Sequence, residues 1–439
     1  MRSPLRRAER AVAAAIALQL LLAVPSALAL GPSGHASEAV AANRAQAVRQ
    51  ADADRALAVR ALLACRAEAV LDRDKAAFLA DLDPTQRRFL AQQSAVFDNL
   101  TALRFSGWRY ELDVADERPH TPALDAARGT WWAPRVALRY SIAGYDRTPT
   151  QEEQGLTFVQ RQHRWYLASD SDFASSGHPS QRNLWDTGTL RVTRGRFCLV
   201  LAHPAGAGMA ALAQRECDAA VPRVTAVWGT DWLRRVVLVV PDTATELKQL
   251  VPDVGDLSNI AAVATAELFD PGTGYHPVGD RVIVNPKNFR RLGPVGRRVV
   301  LTHEVTHVAS RGVTGPHAPT WFVEGLADYV GFLHVDIPLS LSASELRKAM
   351  RAGHIPTALP ADSAFSGGRA DLAATYEQSW LAVTLIAERY GRATMLKLYR
   401  DIGTGTRADA LDVAFAKDLH TTVGAFTRSW TASLKHRLL

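Results

Sequence analysis

The chain is 439 residues long, more than one ordinary core accommodates, so about two domains are expected. Hydrophobic residues at 47% and charged residues at 22% are ordinary values for a folded soluble protein. The net charge of +7 comes from scattered arginines with no dense basic tract and no recognition motif, which argues against a nucleic-acid partner and for mild attraction to anionic surfaces such as a cell envelope.

The first element is a leader. Arg2, Arg6, Arg7 and Arg10 precede the apolar run "AVAAAIALQLLLAVPSALAL", which closes on Ala27-Leu28-Ala29. A basic start, an apolar middle and a small-x-small end describe a signal peptide over residues 1–29 and a secreted or envelope-associated product. The run from Ala11 to Leu30 is also just long enough for an uncleaved anchor, but Pro25 and the small residues favour cleavage after Ala29. No cysteine follows the run to carry a lipid, and no later segment is long and apolar enough to cross a membrane. Export permits a disulfide among Cys65, Cys198 and Cys217, with Cys198 and Cys217 the nearest pair; a bridge and buried thiols both stay open.

Residues 45–175 read as an α+β accessory domain. "RQADADRALAVRALLACRAEAVLDRDKAAFLADL" has a helical rhythm through Leu57, Leu62 and Leu63. In "WRYELDV" Trp108, Tyr110, Leu112 and Val114 alternate with charges, and in "RVALRYSI" Val136, Leu138, Tyr140 and Ile142 do the same. Period two means one buried and one wet face, as in an antiparallel sheet. "GLTFVQRQHRWYLAS" reads as another strand. Helices followed by a sheet that ends in "W-Y-L" resemble the nuclear-transport-factor-like cone fold, a likeness that carries no site residue across. Polar and turn residues cluster in "SSGHPSQRNLWD", residues 175–186, where the domain boundary is expected.

The second domain, 186–439, opens with strand "RFCLVLA", loop "HPAGAG" and a helix through "MAALAQRECDAAVPRVTAVWG". Gly206 and Gly208 lack the third glycine of a dinucleotide fingerprint and the Lys-Ser/Thr of a phosphate loop, so a plain turn is expected. "RRVVLVVP" and "DRVIVNP" read as strands with helix "TATELKQLV" between them, and the chain beyond Pro294 reads as mostly helical.

"LTHEVTHVAS", residues 301–310, carries the chemistry. Residues four apart stack on one helix face, so His303 and His307 can aim two imidazoles at one point, while Leu301, Val305 and Val308 offer a separate apolar stripe. In "PTWFVEGLADYVG", Phe322, Leu326, Tyr329 and Val330 form the core stripe of a second helix, and Glu324 and Asp328 share another face one turn apart. Two histidines and a glutamate are a known catalytic zinc set that keeps a fourth position for water. Asp328 is then placed to orient a ligand histidine through its second ring nitrogen.

The pattern of His303, Glu304 and His307, then Trp321, Glu324, Gly325, Ala327, Asp328 and Tyr329, resembles the gluzincin branch of zinc metallopeptidases, close to the bacterial peptidase MA-like group. The resemblance covers residues 190–439 and implies a zincin-like fold, zinc held by His303, His307 and Glu324, and peptide or protein substrates. It also implies that Glu304 takes a proton from zinc-activated water, and that an edge strand binds extended peptide, for which residues 280–286 are the candidate. A downstream tyrosine or histidine should donate to the oxyanion; Tyr376 is the first choice, with His317 and His334 behind it. Tyr376 also lies in a stripe with Trp380, Val383 and Ala387, so a core role competes. Two rival readings stand beside the peptidase: a zinc hydrolase of a non-peptide cell-wall amide, and a non-catalytic envelope zinc-binding module. The presence of Glu304, which holding a metal does not require, weighs against the second.

Overall fold

A computed structural model describes residues 33–251, 256–258, 260–269, 276–366 and 368–439. The expected leader, 1–29, lies outside the described residues. The chain divides into Met1–Arg55 and Ala56–Leu439. Of the first unit the described part is a stretch of helix whose side chains from 40 to 54 face solvent.

The N-terminal region contains α1 (Ser33–Asp72), α2 (Lys75–Ala80), α3 (Arg87–Leu100), β1 (Phe105–Glu117), α4 (Pro122–Arg128), β2 (Trp131–Trp132), β3 (Pro134–Ile142), β4 (Thr150–Gln154), β5 (Thr157–Arg161) and β6 (Arg164–Ser169). The strands form two antiparallel sheets, β1-β3-β4 and β2-β5-β6. On β3 the alternation is as expected, with Val136, Leu138, Tyr140 and Ile142 buried. On β1 it fades beyond Asp113, where the pairing shifts register and Val114 is 43% exposed. Two expectations are corrected. Leu57 is 68% exposed and Val59 takes its place in the core. Residues 155–169 are a hairpin and not one strand: Gln162 and His163 both have positive φ, the conformation of a tight two-residue turn. Such turns are usually signalled by Asn or Gly, and neither is present here.

A third, five-stranded sheet is built from β7 (Arg191–Arg194), β8 (Cys198–Ala202), β9 (Val236–Val240), β10 (Ala262–Phe269) and β11 (His276–Val284), in the order β10-β11-β9-β8-β7. Helices α5 (Ala207–Trp228) and α6 (Ala244–Leu250) lie between its strands in the chain. Pairings β8–β9 and β9–β11 are parallel, and β7–β8 and β10–β11 antiparallel. Both faces are buried, which explains the uninterrupted apolar runs. Val200, Leu238, Val282 and Val284 share a core with α5 and the later helices, while Leu201, Val237, Val239 and Ile283 share another with Trp108, Tyr140 and Trp185. The N-terminal region thus covers the back of this sheet, and Leu184, Trp185 and Leu190 from the connecting stretch belong to the same core. Cys198 on β8 and Cys217 on α5 form a disulfide, and Cys65 is free and exposed.

The remaining chain is mostly helical, as expected: α7 (Pro286–Arg291), α8 (Pro294–Ser310), α9 (Thr320–Phe332), α10 (Leu339–Ser342), α11 (Ser344–Arg351), α12 (Leu372–Tyr390), α13 (Arg392–Gly403), α14 (Ala410–Leu419) and α15 (Val423–Leu438). Among the described residues no helix is long and apolar enough to cross a membrane. The expected edge strand is also corrected. Residues 281–283 lie inside the sheet, paired with β10 on one side and β9 on the other, and the edge beside them is β10. Its sequence, "AVATAELF", is rich in alanine and shows neither a β-branched run nor a clean alternation.

One buried ion pair joins the N-terminal region to this sheet. Arg281 on β11 donates twice to Asp146, at 2.7 and 3.0 Å, and the Asp146 side chain is 2% exposed. Arg281→Met should therefore lower stability by about 3–5 kcal/mol, since it leaves a buried carboxylate unpaired. The double variant Arg281→Met/Asp146→Asn should lose clearly less, because no buried charge is stranded. Chemical denaturation of the three proteins measures the difference.

Candidate metal centre

Helix α8 begins with Pro294 in its first turn, where the missing N–H has no helical partner to lose. Leu301 and Val305 are fully buried in the core beneath the sheet. Thr302 and Thr306 are also buried, and each hydroxyl returns to a carbonyl four residues earlier, at 2.7 and 2.8 Å. With those faces fixed, His303 and His307 turn toward α9 and Glu304 toward β10.

Helix α9 buries Phe322, Leu326 and Val330, as its pattern predicts, while Tyr329 is half-buried. Two glycines let it approach its neighbours. A Cβ on Gly325 would stand 2.5 Å from the Ser379 carbonyl of α12, and one on Gly331 would stand 3.1 Å from the Val299 carbonyl of α8. The glycine after Glu324 is therefore a packing requirement.

At this crossing three groups converge. His303 Nε2 and His307 Nε2 are 3.0 Å apart, and Glu324 Oε2 lies 3.3 Å from the first and 3.4 Å from the second. Ligands about 2.05 Å from a tetrahedral ion stand roughly 3.3 Å apart, so the triangle fits a zinc-sized cation. Asp328 Oδ1 is 2.7 Å from His303 Nδ1. That bond places the Nδ1 proton toward the carboxylate and leaves the Nε2 lone pair facing the other two groups. Burial raises the Glu324 carboxyl, but the two imidazoles reverse this and hold it well below the usual carboxylate range. Among the described residues this is the one cluster of three or more such side chains able to hold a metal.

Glu304 is buried beside the cluster, and its Oε2 accepts the Ala264 N–H of β10 at 2.7 Å. Burial pushes its carboxyl up, against the pull of His303 and His307. Tyr376 on α12 has its ring 6.4 Å from that of His303 and edge-on to Phe365. Burial raises its hydroxyl, and the charges of Glu324, Asp328 and Glu304 add to the rise. Of its expected helical stripe, Val383 is buried, whereas Tyr376, Trp380 and Ala387 are half-buried. Among the described residues no bond joins His317 or His334 to the cluster; the His334 carbonyl instead accepts from Arg298.

Three participants around Glu304 carry no mark in the sequence: Ala264, Arg311 and Asp280. Arg311 caps α8, donating to the Ala264 carbonyl and to Asp280, each at 3.0 Å. A backbone N–H leaves no signature in residue type, and Arg311 looks like any surface arginine.

No family model matches the chain, and no curated protein matches it. Among solved structures, the M1 zinc metallopeptidase from Deinococcus radiodurans is similar over 74% of this chain and 69% of its own, at 15% identity and a TM-score of 0.32. An alanine mutant of a two-domain M1 zinc metallopeptidase bound to L-arginine is similar over 62% of this chain, at 14% identity and a TM-score of 0.32. The chain spans 58% of the length of that second structure.

The triangle predicts about one zinc per purified chain. Alanine at His303, His307 or Glu324 should each lower that content, read by elemental analysis. Asp328→Asn should keep the ligands but weaken zinc affinity roughly 10- to 100-fold in competition with a chelator, because the histidine loses its charged orienting partner.

Proposed function

We propose that the chain is an exported zinc-dependent metallopeptidase that hydrolyses peptide bonds. The observation that carries this reading is the convergence of His303, His307 and Glu324 with a buried carboxylate, Glu304, alongside. A structural zinc site is usually closed by four protein ligands, whereas three ligands leave a position for reactants. Zinc bound there would supply an acidified water and polarise the substrate carbonyl.

The chain's own residues supply the rest. Glu304 has one oxygen engaged by Ala264 and offers the other as the proton acceptor, which later returns the proton to the leaving amine. Asp328 holds His303 in the tautomer whose Nε2 can act as a ligand. In this reading Tyr376, whose ring lies 6.4 Å from that of His303, donates its hydroxyl to the charge developing on the carbonyl oxygen.

Glu304→Gln should leave zinc bound and abolish cleavage of an unstructured protein substrate; full activity in that variant overturns the assignment of the base. Zinc at full occupancy with no peptide cleaved by the wild type overturns the peptidase reading. Tyr376→Phe keeps the ring's packing, and turnover should fall roughly a hundred- to a thousandfold with little change in substrate affinity. Wild-type turnover in that variant returns Tyr376 to the core. For export, N-terminal sequencing of the mature protein should begin at Leu30, and a cytosolic chain still starting at Met1 would refute it.

A further inference from the structure

Ala264, on the edge strand, has both of its outward backbone groups committed to α8. Its N–H donates to Glu304 Oε2 at 2.7 Å, and its carbonyl accepts from Arg311 Nη2 at 3.0 Å. Glu304 and Arg311 are two helical turns apart, roughly 10 Å along one face of the helix. A single strand residue is thus held at two points by the middle and the cap of the same helix.

Arg311 is itself anchored. Its Nε donates to Asp280 at 3.0 Å, and both side chains are about a quarter exposed, at 26% and 27%. Asp280 reaches Arg311 because β11 carries an extra residue: Thr265 pairs with Arg281 and Glu267 with Val278, so two residues of β11 stand opposite one of β10. Gly279 makes this bulge with φ +65°, and a Cβ there would overlap the Thr150 side chain. Bulges re-aim side chains. Here the bulge leaves Arg281 on Asp146 and its neighbour Asp280 on Arg311.

An edge N–H can serve a paired peptide or an internal acceptor, and at Ala264 it serves the carboxylate of Glu304. We propose that Arg311 and Asp280 are positioning residues: by fixing the Ala264 carbonyl to the end of α8, they hold its N–H on Glu304 and set the direction of the remaining carboxylate oxygen. The proposal rests on Glu304 acting as the base in the reading above. It adds residues that touch neither the metal ligands nor the reacting bond.

The test uses the full zinc-loaded protein and reads amide exchange across residues 262–266, zinc content, and kcat and KM on a quenched peptide that the wild type cuts. Arg311→Met keeps the aliphatic stem and removes the donors. Zinc should stay at about one per chain. Exchange at Ala264 should rise roughly tenfold while exchange in the buried middle of α8 holds. Turnover should fall by roughly a hundredfold, the scale of a 1 Å misplacement, with KM nearly unchanged. Asp280→Asn keeps an oxygen for Nε and should restore most of the turnover that Asp280→Ala loses. Unchanged exchange at Ala264 or unchanged kcat in Arg311→Met overturns the proposal. If Arg311→Met fails to fold, equal kcat for the two Asp280 variants overturns it. A wild type that cuts no peptide refutes the peptidase reading instead, and the exchange measurement alone then judges the clamp.

Discussion

Two imidazole nitrogens and a carboxylate oxygen meet within 3.0 to 3.4 Å of one another, and the rest of the structure is organised around that meeting. Lone pairs packed this closely, with the water mostly removed, repel one another unless a cation stands among them. Helix α9 must pack tightly on both α8 and α12, which is why Gly331 stands against a backbone carbonyl of the first and Gly325 against one of the second. Asp328 then turns the lone pair of His303 inward, and buried threonines satisfy their own hydroxyls so that the polar face of α8 stays free for the site.

A site of this kind needs a rigid floor, and the five-stranded sheet provides it only because both of its faces are covered. The helices cover one face and the N-terminal α+β region covers the other, with Tyr140, Trp108 and Trp185 packed on the odd-numbered residues of β9 and β11. The Asp146–Arg281 pair lies in that contact, one residue from Asp280. Loosening the N-terminal region would uncover apolar strands and strand a buried charge close to the edge strand, so its contribution is to the site's rigidity.

Much of the chemistry was legible along the chain because it is local. Helical spacing places His303 and His307 on one face, and it separates the core stripe of α9 from Glu324 and Asp328. Each of these follows from 3.6 residues per turn and needs no knowledge of neighbours. The alternation on β3 was legible for the same reason. The hairpin at Gln162-His163, the solvent-facing Leu57 and the edge position of β10 were not. A positive φ at residues that rarely adopt it, the choice of buried stripe on a long helix, and the order of strands in a sheet are all decided by contacts distant in sequence.

The three ligand candidates, the carboxylate between the histidines and the α+β class are each written in residue type and short-range period. Long-range packing sets the meeting of Glu324 with both histidines, the Cys198–Cys217 bond, and the chain from Asp280 through Arg311 and Ala264 to Glu304. The physical reason is one of range. A helix fixes which side chains share a face over a few residues, but the distance between faces is set by packing, by glycines that admit close approach, and by backbone groups that every residue carries alike.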